Sequence, residues 1–491
     1  MDAAALAASL VPSWSAVVVL FSYLGYLAAA GAVLPGKLVP GAVLPDSSRL
    51  HYRCNGLVSL LLLLVLSALG VYMGWMSPTV IADRGIELLS ATFIFSVIVT
   101  FLLYYSGLRS HHKSSSLKPH VSGNFIQDWW LGVQMNPHFM GVDLKFFFVR
   151  AGMMAWLFIN LSLFAKSYLA GSANLSVILY QFFCAWYIVD YFVHEELMTS
   201  TWDIIAERLG FMLVFGDLVF IPFTFTIQGW WLLRNNVELS LLAATVNCFI
   251  FVIGYLVFRG ANKQKHVFKK SPKALIWGKP PKLVGGKLLV SGYWGIARHC
   301  NYLGDILLAL SFSLPCGTSS VIPYFYPTYL FILLIWRERR DEARCSEKYK
   351  EIWVCNWGRP YEQLSLTPLL STISQRKQWQ MALGMQWQVC TNKIMCYDYA
   401  NSCHMTHLQT HLNGGEQWHF PYRFHDNRVE FWHHVTMNSL RWLPWLLLRL
   451  APFLCPDTVR TKNFMEGTLL LYGGHEELQM VHEMELLTPY C

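Results

Sequence analysis

Two groups of polar side chains in the second half of the chain have the composition of a ligand site. The first lies between residues 291 and 305, where glycines at 292, 295 and 304 let a ligand approach the backbone closely. Aromatic faces, amide groups and a carboxylate suit the ring and ribose of a nucleoside. A lone histidine is more often structural, but the density of these groups favours a site. The group comprises Trp294, Arg298, His299, Asn301, Tyr302 and Asp305.

The second group spans residues 337–350, after an apolar run. If the preceding helix continues, Arg337, Asp341, Cys345 and Lys348 recur at spacings of four, four and three, so they share one face. A face with alternating charges is typical of a salt-bridged helix end. It is also typical of a phosphate site, because arginine and lysine side chains bind a dinucleotide. The dense polar and aromatic side chains of the first group favour the phosphate site over a salt-bridged helix end.

Composition shows which elements must position these groups. The chain has 491 residues, of which 54% are hydrophobic and only 14% charged, and several apolar runs approach the length that spans a bilayer as helix. Disorder is excluded for most of the chain. We predict an all-α, polytopic membrane helix bundle with about nine transmembrane helices, within a range of about eight to ten. The candidate spans are 13–34, 54–76, 89–107, 146–166, 174–194, 209–232, 238–258, 303–316 and 322–336.

The distribution of basic residues predicts the topology. The loop 259–300 contains ten Lys and Arg residues and no acid, so we expect it in the cytosol. Alternation then places the N-terminus in the lumen, with the first membrane helix acting as the targeting signal. Because the net charge of +8 is concentrated in loops, nucleic acid is not a predicted partner.

Cysteine usage indicates neither a disulfide framework nor a metal site. The 12 cysteines are scattered, and several lie inside apolar runs, as expected of buried free thiols. Cysteines and histidines between 390 and 411 match no standard zinc spacing, so no metal is predicted.

Three stretches resemble the sterol reductase family of the endoplasmic reticulum, which includes Δ14- and Δ7-reductases and the membrane part of the lamin B receptor. Residues 132–147 are similar to the first family signature, with Met135 and His138 in place of its Leu and Arg. Residues 333–349 are similar to the second signature, and residues 211–225 support both. The resemblance covers about 15–354 and is greatest to the plant Δ14 type.

This resemblance implies an NADPH site on the cytosolic side, within a C-terminal half of about 259–354. Lys269 stands where relatives commonly have Arg, which would replace a bidentate phosphate contact by a point charge. The polar pattern of residues 291–305 adds His299 and Asp305 to the predicted cofactor contacts, although the resemblance does not imply them. The contacts implied by the family are Lys265, Lys269, Leu289, Trp294, Asn301, Tyr302, Arg337, Asp341, Cys345, Lys348 and Tyr349.

The implied reaction is NADPH-dependent reduction of the Δ14 double bond of sterol biosynthetic intermediates. Protonation at carbon 15 leaves a cation at carbon 14 that accepts hydride, so the protein must supply an acid from a membrane helix. The family favours a tyrosine paired with Asp341. We assign Tyr187 to this role, with Tyr180 and Tyr191 as rivals. The predicted partners are a sterol and the lipid bilayer, with no specific protein partner.

Other polar residues in the membrane segments remain open to two interpretations. A lone membrane tyrosine is commonly an interfacial anchor. Asp190 shares the segment and, as a carboxylate within the membrane, is expected to have a role. Asp217 and Asn136 are either structural or on the substrate side.

The chain departs from the family after Val354. Relatives end in a short segment rich in Tyr, Arg and Pro, whereas here Asn356 takes the place of a tyrosine that contacts the cofactor. We therefore expect residues 1–354 to form the membrane domain. We expect the tail 355–491 to be poorly ordered, or to arise from alternative splicing or from an intron read through in the assigned gene. The lost contact predicts weak or absent NADPH binding.

Three alternative functions are weighed against Δ14 reduction. The first is reduction of another sterol double bond, such as Δ7. The second is a catalytically impaired scaffold, although the basic N-terminal region of the lamin B receptor has no counterpart before the first span. The third is an isoprenylcysteine-type methyltransferase, which the Asn136–Pro137 signature and the long preceding bundle disfavour.

Overall fold

A computed structural model describes residues 11–43, 49–109 and 119–349 of the chain. Asn356, the tail 355–491 and the cysteines and histidines within it lie outside these ranges. The described residues are mostly helical and fall into two compact units, the first ending at Glu238 and the second beginning at Leu239. Each unit is described separately.

The first unit combines long helices with two small hairpins. Its helices α9 and α10 are joined through a π-helical turn at Gly216–Phe220, and a 3₁₀ turn at Glu195–Ser200 follows α7. The elements are α1 (Trp14–Val33), β1 (Lys37–Val43), β2 (Arg49–Cys54), α2 (Gly56–Tyr72), α3 (Val80–Asp83), α4 (Gly85–Arg109), α5 (Phe125–Leu131), β3 (His138–Phe139), β4 (Val142–Asp143), α6 (Leu144–Leu169), α7 (Leu175–Val193), α8 (Trp202–Ile205), α9 (Phe211–Phe215), α10 (Ile221–Thr224) and α11 (Ile227–Asn235).

The second unit is built on two helices that pack closely. Its elements are α12 (Leu241–Lys270), β5 (Leu283–Val284), β6 (Leu288–Leu289), α13 (Tyr293–Ile296), α14 (Cys300–Ser313) and α15 (Phe325–Tyr349). A Cβ added at Gly304 would lie 2.5 Å from the Phe258 nitrogen, and one at Gly254 would lie 2.9 Å from the Leu307 Cβ. These two glycines therefore allow α12 and α14 to pack with their backbones close together.

Within the described ranges, six helical segments are long and apolar enough to cross a membrane. Two shorter apolar helices, Gly56–Tyr72 and Cys300–Cys316, match the predicted spans 54–76 and 303–316. The last predicted span coincides with the apolar first half of α15. The polytopic helical class predicted from the sequence is confirmed. The six segments are Trp14–Val33, Gly85–Arg109, Leu144–Leu169, Leu175–Val193, Phe211–Asn235 and Leu241–Lys270.

Local sequence explains where several of these helices begin. Side chains of Ser13, Asp143, Asn174 and Ser240 accept a hydrogen bond from a backbone N–H in the first turn of α1, α6, α7 and α12. Such N-caps replace bonds that the first turn of a helix cannot make internally.

The predicted span 209–232 is interrupted in the structure. The Ile221 N–H donates to the Gly216 carbonyl, which closes one wide π-helical turn. Pro222 follows directly and has no N–H to continue the regular pattern. The turn approaches α6 closely, because a Cβ at Gly152 would lie 2.2 Å from the Asp217 carbonyl oxygen.

Two predicted loops contain regular structure. The strands β1 and β2 pair antiparallel, and Lys37 is opposite Cys54. The hairpin is held by a tertiary contact, because the Tyr52 ring stacks on Phe146 of α6 with centroids 4.8 Å apart. The predicted loop 259–300 begins as helix, since α12 continues to Lys270 through a stretch that contains four lysines, which favour helix.

Candidate functional site

The second unit brings the two predicted polar groups together. The Tyr302 hydroxyl on α14 donates a hydrogen bond of 3.1 Å to the Asp341 Oδ2 atom on α15. Arg337, one turn before Asp341, lies within electrostatic range of Tyr302. The Tyr302–Asp341 bond therefore fixes a carboxylate beside the first polar group.

His299 supports the Tyr302 ring. The two rings are stacked, with centroids 4.8 Å apart and an interplanar angle of 13°. Shielding of the ring from water lowers the pKa of His299 to about 4, although the Asp341 charge opposes this shift. The imidazole is therefore neutral at physiological pH, and it positions Tyr302 without adding charge.

Trp294 forms an aromatic surface next to α12. Its indole N–H donates to the Ala261 carbonyl over 2.9 Å, and the Lys265 Nζ atom lies 5.0 Å from its ring centroid. The preceding turn requires Gly292, which has a φ of 65°, because a Cβ there would lie 2.5 Å from Gln264. The Gln264 side chain also accepts a bond of 3.0 Å from the Tyr293 N–H.

Asn301 has a hydrogen-bonding group that the described residues leave unsatisfied. Its Nδ2 atom lies 3.4 Å from the Asn262 Oδ1 atom, while its own Oδ1 atom is buried without a hydrogen-bond partner in the described chain. A buried acceptor of this kind is costly. It fits a ligand that brings an amide or hydroxyl donor.

Four cationic side chains gather where α12 and α15 end. Lys269 lies within electrostatic range of Lys265, Arg344 and Lys348, and the Lys348 Nζ atom lies 5.3 Å from the Tyr349 ring centroid. All four cations are exposed. Such a concentration of like charge is favourable when it binds phosphate groups.

Arg298 has a different role from its neighbours in the first polar group. Its NH2 atom pairs with the Glu342 Oε2 atom at 2.6 Å, and the two side chains are 12% and 31% exposed. This ion pair connects the segment before α14 to α15. It holds the two polar groups together across the candidate site.

The other predicted site residues lie around this centre. Leu289 is half-buried in β6, opposite Leu283. Asp305 is half-buried one turn after Asn301 on α14. Cys345 is a half-buried free thiol whose pKa is raised by burial and by the Asp341 and Glu342 charges.

The predicted proton donor Tyr187 lies in the first unit, on α7. It is half-buried, and its ring centroid is 5.9 Å from that of Trp156 on α6. Trp156 in turn contacts Phe225 edge to face at 5.4 Å. The Tyr187 ring is thus placed within an aromatic cluster of α6, α7 and the segment after α10.

The rival tyrosines have different surroundings. Tyr180 is fully buried, and its hydroxyl donates a hydrogen bond of 3.0 Å to the Asn160 Oδ1 atom. The hydroxyl proton of Tyr180 therefore links α7 to α6. Tyr191 lies one turn beyond Tyr187, within electrostatic range of Asp217. The buried Asp190 Oδ1 atom lies 3.2 Å from the His194 Nδ1 atom, one turn further along the chain.

The first signature contains polar residues that the sequence pattern left open. The Asn136 Nδ2 atom donates to the Tyr52 hydroxyl over 3.0 Å, which ties the signature to the β1–β2 hairpin. The buried Lys145 Nζ atom donates to the Ile204 carbonyl over 3.1 Å and to the Glu207 carbonyl. These contacts organise the backbone around the start of α6.

A buried ion pair in the first unit was not predicted. The Arg150 Nε atom lies 2.5 Å from the Glu195 Oε1 atom, and both side chains are at least nine-tenths buried. Arg150 also donates to the Asn55 Oδ1 atom over 2.8 Å, and Glu195 accepts from the Gly56 N–H over 2.9 Å. The sequence did contain a signal for this pair. Arg150 lies near the start of the apolar run 146–166, and Glu195 follows the end of the next apolar run, 174–194.

Comparison with known proteins identifies the family of this chain. Residues 3–362 match the ergosterol biosynthesis ERG4/ERG24 family. Over 345 residues the chain is 70% identical to the Delta(14)-sterol reductase of Arabidopsis thaliana, covering 70% of this chain and 94% of that protein. It is 41% identical over 349 residues to the Delta(14)-sterol reductase of Methylotuvimicrobium alcaliphilum, covering 70% and 81%. It is also 41% identical over 348 residues to the Delta(14)-sterol reductase TM7SF2 of Mus musculus, covering 69% and 82%. The chain therefore belongs to the ergosterol biosynthesis ERG4/ERG24 family.

Proposed function

We propose that this chain reduces the Δ14 double bond of sterol biosynthetic intermediates and uses NADPH as the reductant. The observation that carries the choice of reaction is the 70% identity over 345 residues to a relative named Delta(14)-sterol reductase. The bacterial and mouse relatives at 41% identity bear the same name. The chemistry of the second unit supports the choice of cofactor.

The residues of the second unit fit NADPH. Lys265, Lys269, Arg344 and Lys348 are suited to its phosphate groups. The unsatisfied Asn301 Oδ1 atom is suited to an amide or hydroxyl donor. When bound, NADPH supplies the hydride that an alkene cannot otherwise obtain.

The protein's own contribution is the proton and its placement. In the proposed reaction Tyr187 donates a proton to carbon 15 of the sterol, which leaves a tertiary cation at carbon 14. Asp341 of the second unit is the other residue proposed to take part in catalysis. The apolar surroundings of Tyr187 exclude water that would trap this cation. The Tyr302 hydroxyl orients the Asp341 carboxylate.

The proposed setting is the membrane of the endoplasmic reticulum, with the cofactor site on the cytosolic side. The excess of Lys and Arg in residues 259–300 supports this orientation. Sterol substrate would enter from the bilayer, where it is most soluble.

Expression of the full chain in cells that lack their own Δ14-reductase tests the proposal. We expect the accumulated Δ14-sterol to disappear with the wild-type chain and to persist with Asp341→Ala. Glu347→Ala, an exposed residue of the same helix, is the matched control and should rescue. Rescue by Asp341→Ala would remove Asp341 from the mechanism. Failure of the wild-type chain at normal protein levels, with rescue by a version that carries the usual family ending after Val354, would attribute the loss to the altered tail. Failure of both versions would contradict the proposed activity.

A further inference from the structure

The loop 271–282, which follows α12, has no role in the function proposed above. It presents two large apolar side chains to the outside, since Leu275 is 63% exposed and Trp277 is 61% exposed. Single exposed apolar side chains are common, but apolar groups bordered by polar ones are typical of an interaction surface. Three exposed lysines of the loop form that border, and residues 259–300 contain no acid that could pair with them.

A tight turn holds Trp277 at the tip of the loop. The Ile276 N–H donates to the Lys279 carbonyl over 2.8 Å, and the Lys279 N–H donates to the Ile276 carbonyl over 3.1 Å. The two central residues, Trp277 and Gly278, have φ angles of 51° and 74°. Glycine adopts such angles readily, whereas a bulky side chain rarely does. A mostly exposed tryptophan that is held in this conformation indicates a function for the tip.

The tip folds back toward the part of α12 that leaves the membrane. The helix has no charged residue between Leu241 and Phe258, and this stretch has about the length that crosses the hydrocarbon core. The Trp277 ring contacts Tyr293 edge to face, with centroids 5.1 Å apart. The Tyr293 ring lies against Gly260, where a Cβ would overlap it. Trp277 is therefore level with the end of the apolar stretch, where membrane proteins place their interfacial aromatic residues.

The charge of the loop fits an anionic membrane surface. Lys273 and Lys279 lie on either side of the apolar pair, and Lys282 follows the turn. Lysines close to a bilayer are attracted to anionic headgroups, while tryptophan and leucine enter the interface. A soluble acidic partner would match the lysines equally well. The position of Trp277 beside the end of the apolar stretch favours the membrane.

We propose that the loop 271–282 docks on the anionic surface of the membrane that α12 crosses. Leu275 and Trp277 enter the interface between headgroups and hydrocarbon, and the three loop lysines bind the anionic groups of the lipid headgroups. Docking restrains the connection between α12 and the first polar group of the candidate site. The inference concerns a surface outside that site and does not rest on the proposed function.

Hydrogen exchange of the full chain in lipid nanodiscs tests the inference. Exchange of the loop amides would be compared between nanodiscs of phosphatidylcholine and nanodiscs that also contain phosphatidylserine. We expect exchange to be at least about tenfold slower with the anionic lipid, since each lysine near such a surface strengthens binding about fivefold. High salt should remove the difference, because it screens exposed charges.

A pair of charge variants identifies the lysines responsible. Lys273→Gln/Lys279→Gln should abolish the effect of lipid charge and exchange as the wild type does in phosphatidylcholine. Lys263→Gln/Lys270→Gln removes the same charge from exposed positions of α12 and should retain the effect. Equal loss in both double variants would indicate a response to overall charge and overturn the assignment to the loop.

A pair of apolar variants tests the insertion. Leu275→Ser/Trp277→Ser should lose most of the protection in anionic nanodiscs. Val321→Ser, which changes another exposed apolar residue of the second unit, should keep it. Full protection in Leu275→Ser/Trp277→Ser would show that the apolar side chains do not enter the membrane.

The remaining outcomes separate the membrane from other anions. Equal exchange of the wild-type loop in neutral and anionic nanodiscs would overturn the inference. Protection by NADPH or by an added acidic peptide, without an effect of lipid charge, would assign the lysines to another partner and overturn it as well. None of these measurements requires sterol turnover, so failure of the inference would leave the proposed function intact.

Discussion

The Tyr302 hydroxyl donates a 3.1 Å hydrogen bond to the Asp341 carboxylate, and this bond joins α14 to α15. It connects a nucleoside-type group of side chains to an ionic helix face, two features that are almost forty residues apart in sequence. The stack of Tyr302 on His299 holds the tyrosine in place.

Replacement Tyr302→Phe should weaken NADPH binding roughly tenfold, because a hydrogen bond to a charged group contributes about 1.5–3 kcal/mol. The aromatic stack would remain, so the fold should be preserved. Titration of the purified protein with NADPH measures the effect. Tyr105→Phe, an exposed tyrosine of α4, is the control. Equal affinity of Tyr302→Phe and the wild type would show that the bond does not organise the site.

Replacement Lys269→Arg should strengthen NADPH binding severalfold and raise the preference for NADPH over NADH. A planar guanidinium can form two bonds to a phosphate, whereas an ammonium group acts as a point charge. Binding measured at two ionic strengths checks that the gain is electrostatic. Lys270→Arg, at the adjacent exposed position, should have little effect. An equal gain for both coenzymes would argue against a phosphate contact at Lys269.

The low pKa of His299, about 4, predicts a specific dependence of stability on pH. An unfolded chain has a histidine pKa of about 6.5, so between these values the unfolded state binds more protons than the folded state. His299 therefore contributes stability above about pH 6.5, and that contribution is lost as pH falls toward 4. Thermal unfolding of His299→Phe should be less sensitive to pH over this window, since phenylalanine can stack but cannot titrate. His51→Phe, an exposed residue of β2, is the control, and equal pH sensitivity of all three proteins would contradict the assignment.

Tyr180→Phe and Tyr187→Phe should have opposite effects. Tyr180→Phe removes the hydroxyl bonded to Asn160 and should lower the free energy of unfolding by about 1–3 kcal/mol while turnover continues. Tyr187→Phe should leave the fold and NADPH binding intact but lower kcat by at least about a hundredfold. Sterol turnover and unfolding of both variants distinguish the roles. Normal turnover by Tyr187→Phe would transfer the donor role to another residue.

Glu195→Gln should destabilise the first unit by about 3–5 kcal/mol, because it leaves the buried Arg150 guanidinium without its carboxylate. The neighbouring Glu196→Gln is a sharp control, since Glu196 pairs with an exposed Lys37 and should have little effect. Denaturant unfolding in detergent compares the two. Similar small losses for both variants would show that the Arg150–Glu195 pair does not hold the unit together.

Much of the fold could be predicted from apolar runs. Each predicted span coincides with a helical segment of the described chain, and the predicted sterol reductase family is confirmed. The β1–β2 hairpin was not predicted, because Pro40 and Gly41 suggest a loop and its stability comes from the distant stack of Tyr52 on Phe146. The π-helical turn was missed for a similar reason, since a single Pro222 gives no measure of local backbone geometry.

The membership of the candidate site stays a prediction, and the sequence could not indicate how its residues pair. Spacing on a helix placed Arg337, Asp341 and Lys348 on one face, yet it could not indicate that Tyr302 would bond to Asp341. It also could not distinguish Arg298, which pairs with Glu342, from neighbours suited to a ligand. Such pairings depend on the packing of α14 against α15, which no local pattern specifies.

The most direct measurement of the central claim is isotope tracing with the purified full chain. A Δ8,14-sterol would be incubated with NADPH that carries deuterium at the transferable nicotinamide position, and separately with unlabelled NADPH in D₂O. We predict loss of the Δ14 double bond, with deuterium at carbon 14 in the first product and at carbon 15 in the second. An unchanged diene, or a reduced product without label from NADPH, would contradict the account.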